Sequence, residues 1–127
     1  MKEQLITFET AKLAKEAGFD TPCTLYNAID NEIECFTSII PRNWNNASEW
    51  ISICSQSLLQ KWLRETHNCH LFIIPVGDST FKLKYYCYGI LSVDTEEGTH
   101  NINRFLTYEE ALEEGLQYTL KLICHTP

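Results

Sequence analysis

The sequence predicts an α+β fold: an antiparallel sheet with helices packed on it, in the order α-β-β-(β)-α-β-β-β-α. Three observations predict it. Residues 55–76, SQSLLQKWLRETHNCHLFIIPV, read as a helix running directly into a strand. Residues 81–91 alternate as a second long strand, and residues 107–123 carry a capping signal followed by a helical apolar stripe. The chain of 127 residues suits a single domain, residues 1–127, and is too short for two ordinary ones.

The elements follow in order. In residues 5–18, Thr7 is placed to cap a short helix and Glu9 suits its first turn. Ala11, Leu13, Ala14 and Ala17 make a small face, and Gly18 ends it. Residues 24–29 and 32–39 are β-like around Asp30-Asn31, a hairpin signal. These elements are expected to extend the main sheet or to cover its other face. Residues 41–50, PRNWNNASEW, form an irregular loop with two large rings, and residues 51–54 predict a short strand.

The central helix comes next. Ser55 or Ser57 caps it, and Leu58, Leu59, Trp62 and Leu63 form its stripe. It stops at Thr66-His67-Asn68, where Asn allows a left-handed exit. Residues 71–74 are an apolar run closed by Pro75 and Gly77-Asp78, and are expected as a strand buried on both faces.

In residues 81–91, Phe81, Leu83, Tyr85, Cys87 and Leu91 share one face. Lys82, Lys84, Tyr86, Tyr88 and Ile90 share the other. Glu96-Glu97-Gly98 predicts a turn, and residues 100–105 predict an edge strand. Thr107 and Glu110 form a capping box. The stripe behind it is Tyr108, Ala111, Leu112, Leu116, Leu120 and Ile123. Gly115 lies within that stripe and permits close packing on the sheet, at about 1 kcal/mol of helix propensity. The run Glu109, Glu110, Glu113 and Glu114 is expected as a solvated face.

Composition bounds function. A net charge of −7 keeps a protein dispersed and repels polyanions over long range. Six cysteines are present, but they are widely spaced with no C-x-x-C pair. No apolar run follows Met1-Lys2-Glu3-Gln4 as a signal peptide requires. Reduced thiols and a cytoplasmic location are therefore expected, and Asn46-Ala47-Ser48 carries no glycosylation meaning. No segment approaches the ~20 apolar residues that span a bilayer.

Two helical segments, SQSLLQKWLRETHN and RFLTYEEALEEGLQYTLKLI, together with the opening ITFETAKLAKEAGFD, carry a resemblance. They are similar to a family of small uncharacterised phage- and prophage-associated proteins of Bacteroides and relatives. The resemblance does not extend to the middle loop or the hairpins. It implies an intracellular, mobile-element-encoded protein, and no activity, cofactor or catalytic residue.

Chemistry-bearing residues are few. His67, Cys69 and His70 place three potential metal ligands in four residues, but a tetrahedral zinc site wants a second pair. No G-x-S-x-G elbow, G-x-G-x-x-G or phosphate-binding loop occurs. Lys82, Lys84, Tyr86 and Tyr88 interleave base and aromatic on one strand face, a pattern that stacks nucleotides or simply lines a half-wet sheet. Trp44 and Trp50 either fold back on the core or meet a partner.

The C-terminal α-β-β-β-α order is shared with double-stranded-RNA-binding domains. Here, however, carboxylates crowd the final helix N-terminus, where those domains hold phosphate. The expectation is a non-enzymatic accessory module that binds another protein or a second copy of itself. It takes no cofactor, no membrane and no duplex nucleic acid, and Trp44, Trp50, Tyr86 and Tyr88 are its candidate interaction surface. The alternative is a metal-binding or enzymatic protein built on His67, Cys69 and His70.

Overall fold

The computed structural model describes residues 3–92, 99–100 and 103–125. Among them the elements run α1 (Phe8–Glu16), β1 (Cys23–Ala28), β2 (Cys35–Arg42), a 3-10 turn (Trp44–Asn46), β3 (Trp50–Ile53) and α2 (Gln56–His67). Then come β4 (Cys69–Gly77), β5 (Leu83–Ser92), β6 (Thr99–His100) and α3 (Tyr108–His125). This is the α+β order that the sequence predicts. The expected turn at Glu96-Glu97-Gly98 lies outside the described residues.

The helix ends follow local chemistry. Thr7 Oγ1 accepts from the Thr10 N–H at 3.3 Å and Ser55 Oγ from the Leu58 N–H at 3.2 Å. Thr107 Oγ1 accepts from the Glu110 N–H at 3.1 Å. Each satisfies a donor that the first helical turn leaves unpaired. Asn68 ends α2 with φ 54 and Gly18 follows α1 with φ 91, both left-handed exits.

The strands form two antiparallel sheets, β2-β1-β3 and β4-β5-β6. The N-terminal hairpin therefore neither extends the second sheet nor covers it; it builds a sheet of its own. The helices join the two. α1 packs on β3 and on α3, while α2 and α3 pack together on β4 and α3 also on β5. One core runs through this helical layer, from Ile51 and Phe19 through Leu63 and Leu116 to Leu71 and Tyr88. Gly115 brings α3 close to the sheet. A Cβ there would stand 2.7 Å from Leu71 Cδ1 and 3.1 Å from Tyr88 Cγ.

Residues 71–74 are not buried on both faces, contrary to expectation. Leu71 is 4% exposed and Ile73 packs against the core, whereas Phe72 and Ile74 point away from it and stay half-buried. The reason is that no second layer of described residues covers that side. β4 is moreover an edge strand, paired with β5 alone. Its edge is partly blunted. Tyr86 exchanges backbone bonds with Phe105 at 2.8 and 3.0 Å, so its pairing with Pro75 carries no ladder bond. The donor that Pro75 lacks therefore falls on the free edge. Nearby, Gln60 Nε2 donates to the Leu71 carbonyl at 2.8 Å.

Candidate functional site

The outer face of the first sheet is aromatic. Tyr26 and Phe36 are cross-strand partners, 5.5 Å apart and stacked. Trp44 lies flat on Tyr26 at 3.8 Å, and Trp50 meets Tyr26 edge-on at 5.2 Å. Both tryptophans thus fold back on the sheet. Polar bonds lock the loop that carries them. Trp44 Nε1 donates to the Cys23 carbonyl at 2.8 Å and the Ser52 N–H donates to Asn45 Oδ1 at 2.9 Å. Lys15 reaches from α1 to the carbonyls of Ala47 and Trp50 at 2.5 and 2.6 Å. Burial pulls its pKa down, against the opposing pull of Glu49. Nothing in the sequence pattern signals that lysine clamp.

His67, Cys69 and His70 do not converge. His67 sits edge-on to the Trp62 ring at 4.8 Å, with its Nε2 buried and without a hydrogen-bond partner. Cys69 packs against the core, while His70, its neighbour on the strand, points to the opposite face and is exposed. Among the described residues no group of three His, Cys, Asp or Glu is placed to hold a metal ion. All six cysteines are free thiols. The hydrogen bond with the neighbouring Cys23 thiol, and then burial, push Cys54 far up.

One polar cluster lies at the junction of the three helices. Glu113 Oε2 accepts from the Thr7 N–H and the Thr7 hydroxyl, both at 3.0 Å, and from the Thr10 hydroxyl. Its Oε1 accepts from Gln56 Nε2 at 2.9 Å, and Gln56 also donates to the Glu109 carbonyl at 2.9 Å. Glu109, Glu110 and Glu114 are exposed as expected, but Glu113 is not part of a solvated face. It ties α3 to the N-termini of α1 and α2, where a negative charge is favoured. The cluster is satisfied from within, which makes it a structural joint.

The outer face of the second sheet differs in kind. In an antiparallel ladder, directly opposed residues share a face. The pairs Leu71–Ile90, Ile73–Tyr88 and Pro75–Tyr86 face the helices. The pairs Phe72–Gly89, Ile74–Cys87 and Val76–Tyr85 face away. Tyr88 is 2% exposed beneath α3, and Tyr86 stands edge-on to Tyr108 of the same helix at 6.1 Å. As interaction-surface candidates these two tyrosines are displaced, because α3 covers the face they share. That face is closed to nucleotide stacking for the same reason.

The alternate set is the one left open. Ile74, Val76, Tyr85 and Cys87 are half-buried by their own neighbours, and Leu83 and Leu91 are exposed at 54% and 52%. None of the six belongs to or packs against the core, and no described helix or strand lies over them. Phe72 covers Gly89, where a Cβ would stand 2.4 Å from the ring. The sequence showed the two faces of this strand but not which one the helices would take.

The tip of the β4–β5 hairpin presents Phe81, 99% exposed with φ 63. A bulky residue in the left-handed region costs about 1–3 kcal/mol and needs its surroundings to hold it. Asp78 does so: its Oδ1 accepts from the Thr80 N–H at 2.8 Å, the Thr80 hydroxyl at 2.5 Å and the Lys82 N–H at 3.2 Å. Those donors hold the Asp78 carboxyl below its usual range. Shallow depressions beside α1 (about 460 Å³, with Glu9, Lys12 and Glu16) and beside α2 (about 480 Å³, with Ser57, Lys61 and Arg64) are lined largely by charged and polar side chains.

The class these features define is a small α+β protein with a helical layer between two antiparallel sheets. Its most distinctive surface is an apolar sheet face that no described helix or strand covers. No helix is long and apolar enough to cross a membrane among the described residues. No protein-family model matches the chain, and neither does any curated protein or solved structure.

Proposed function

We propose that this chain is a non-enzymatic docking module that binds another protein through the outer face of β4 and β5. The observation that carries the reading is the row Ile74, Val76, Tyr85, Cys87 and Leu91, apolar side chains that the protein's own core does not use. Contiguous exposed apolar surface of this kind is a mark of interaction sites, and rings and aliphatics at its centre make the usual anchors. Phe81 and Leu83 extend the row to the hairpin tip. Trp44 and Trp50, stacked on the other sheet, are structural in this reading. Six free thiols fit a reducing, cytoplasmic setting. The resemblance to phage-associated small proteins adds only an intracellular, mobile-element-encoded origin to this reading.

Capture from the native cell with two baits, wild-type and Ile74→Glu, tests the reading. A partner recovered by the first and not the second, and rebuilt from purified components, supports it. Ile39→Glu, at an isoleucine 99% exposed on β2, is the control. Identical co-purifying sets with all three baits, and a strict monomer by light scattering, would sink it.

A further inference from the structure

We infer that Cys23 and Cys54 form a reversible redox site, a dithiol that a peroxide closes to a disulfide and a reducing dithiol reopens. The site is independent of the docking reading. Cys23 opens β1 and Cys54 directly follows β3. The two strands are paired, and their ladder ends with Leu25 opposite Ile53, two residues after Cys23 and one before Cys54. Both side chains belong to one core cluster and are 5% exposed. Paired strands lie about 4.8 Å apart, and an offset of one residue adds about 3.3 Å along the strand. The two Cα atoms are then about 6 Å apart, within the span of a disulfide. The thiols are hydrogen-bonded to one another.

The order of protons in the pair selects the nucleophile. The Cys23 thiol donates to the Thr21 carbonyl at 3.3 Å, which leaves its sulfur to accept from the Cys54 S–H. The bond from Cys54 lowers the Cys23 pKa against the opposing effect of burial, and the same bond and burial raise that of Cys54. The thiolate is the reactive form, so Cys23 attacks first. Its sulfur takes one peroxide oxygen, the O–O bond breaks, and the other oxygen leaves as hydroxide and is protonated to water. The product at Cys23 is a sulfenic acid. The Cys54 sulfur then attacks the Cys23 sulfur, and its proton leaves with the displaced hydroxide as a second water. Two thiols have given two electrons to one peroxide, and exchange with a reducing dithiol returns them.

Entry needs little movement. The β1–β2 register shifts between Cys23 and Leu25, and Pro22 and Thr24 on either side of Cys23 are exposed. Local fraying of that irregular end admits a molecule as small as peroxide. The bond would close the loop from 23 to 54, which holds all three strands of the first sheet and the turn that carries Trp44. In a reducing compartment such bonds are transient and redox-sensing.

The test treats the full chain with hydrogen peroxide under native conditions, beside a Cys35→Ser form that lacks the exposed competing thiol. Peroxide is then removed, the remaining thiols are alkylated in urea, and peptide mapping locates the products. The expected main product is a monomer linked between Cys23 and Cys54, and dithiothreitol reverses it. The linked chain melts about 10 °C above the reduced one, because the closed loop restricts the unfolded state. In Cys54→Ser, dimedone labels Cys23 as its sulfenic acid; in Cys23→Ser, it labels Cys54 at least about tenfold more slowly. Circular dichroism checks that both variants are folded, and the mapping of the unsubstituted chain depends on neither.

Cys23 and Cys54 that remain free thiols after peroxide has consumed Cys35 would overturn the site. So would a link that forms only in urea, or a linked chain that melts below the reduced one. Faster labelling of Cys54 than of Cys23 would overturn the assigned nucleophile.

Discussion

Glu113→Ala is the most informative single perturbation of the fold. The carboxylate accepts four hydrogen bonds, from Thr7 (two), Thr10 and Gln56, and so joins three helices at one point. Hydrogen bonds to a charged acceptor contribute about 1.5–3 kcal/mol each, and an orphaned buried donor costs about 1–3 kcal/mol. Two donors keep other partners: Gln56 retains the Glu109 carbonyl, and the Thr10 hydroxyl can turn its proton to the Thr7 oxygen at 3.1 Å. Glu113 is half-buried, so water replaces part of what is lost.

The expected loss is therefore about 2–3 kcal/mol, nearer one broken charged contact than four. For 127 residues, an unfolding entropy of about 2.1 cal/mol/K per residue converts this to a fall in Tm of about 7–11 °C. Thermal unfolding followed by circular dichroism measures it. Glu113→Gln should lose more than half as much, because its amide group must turn a donor toward another donor. Glu114→Ala, at an exposed position one residue on, should stay within about 0.5 kcal/mol. If Glu113→Ala shifts Tm no more than Glu114→Ala does, the joint contributes nothing and the reasoning fails.

Other outcomes are expected. Gly115→Val should destabilise by about 1–3 kcal/mol despite the gain in helix propensity, because the new methyls enter space held by Leu71 and the Tyr88 ring; an unchanged urea midpoint would contradict the packing. Asp78 has a lowered folded pKa, so its contribution to the hairpin tip is complete above the ordinary carboxylate value of about 3.9 and is lost as pH falls through the lower folded value. The Thr80 and Lys82 amide signals should therefore hold at about pH 4 and shift only below it, and a midpoint at or above that pH would count against the turn. In a thiol-labelling time course Cys35, which is exposed, should react first, while Cys23 and Cys54, each 5% exposed, should wait for unfolding; rapid labelling of all six would contradict the core.

Much of the fold was legible in the chain. Thr7, Ser55 and Thr107 cap helices where the sequence places them, since a cap needs only a hydroxyl within three residues of an unpaired N–H. Gly18 and Asn68 end helices because they tolerate positive φ better than most residues. The stripe of α3, Gly115 included, follows from helical periodicity alone. Alternation along residues 81–91 likewise separated Leu83, Tyr85 and Cys87 from Tyr86 and Tyr88.

What alternation does not contain is which side meets a helix. Both faces of β5 carry apolar and aromatic residues, so the choice fell to tertiary packing. Gly115 on α3 admits Leu71 and Tyr88 and thereby turns Ile74, Val76 and Tyr85 outward. The same limit applied to Glu113, which in sequence is one acid among several. It becomes the joint of the molecule only because folding brings Thr7 and Gln56, 106 and 57 residues away, to its oxygens. Caps, turns and stripes are decided by groups a few residues apart, and the sequence determined them. The division into two sheets, the covered face and the open one depend on contacts between distant segments, and only the tertiary structure decided those.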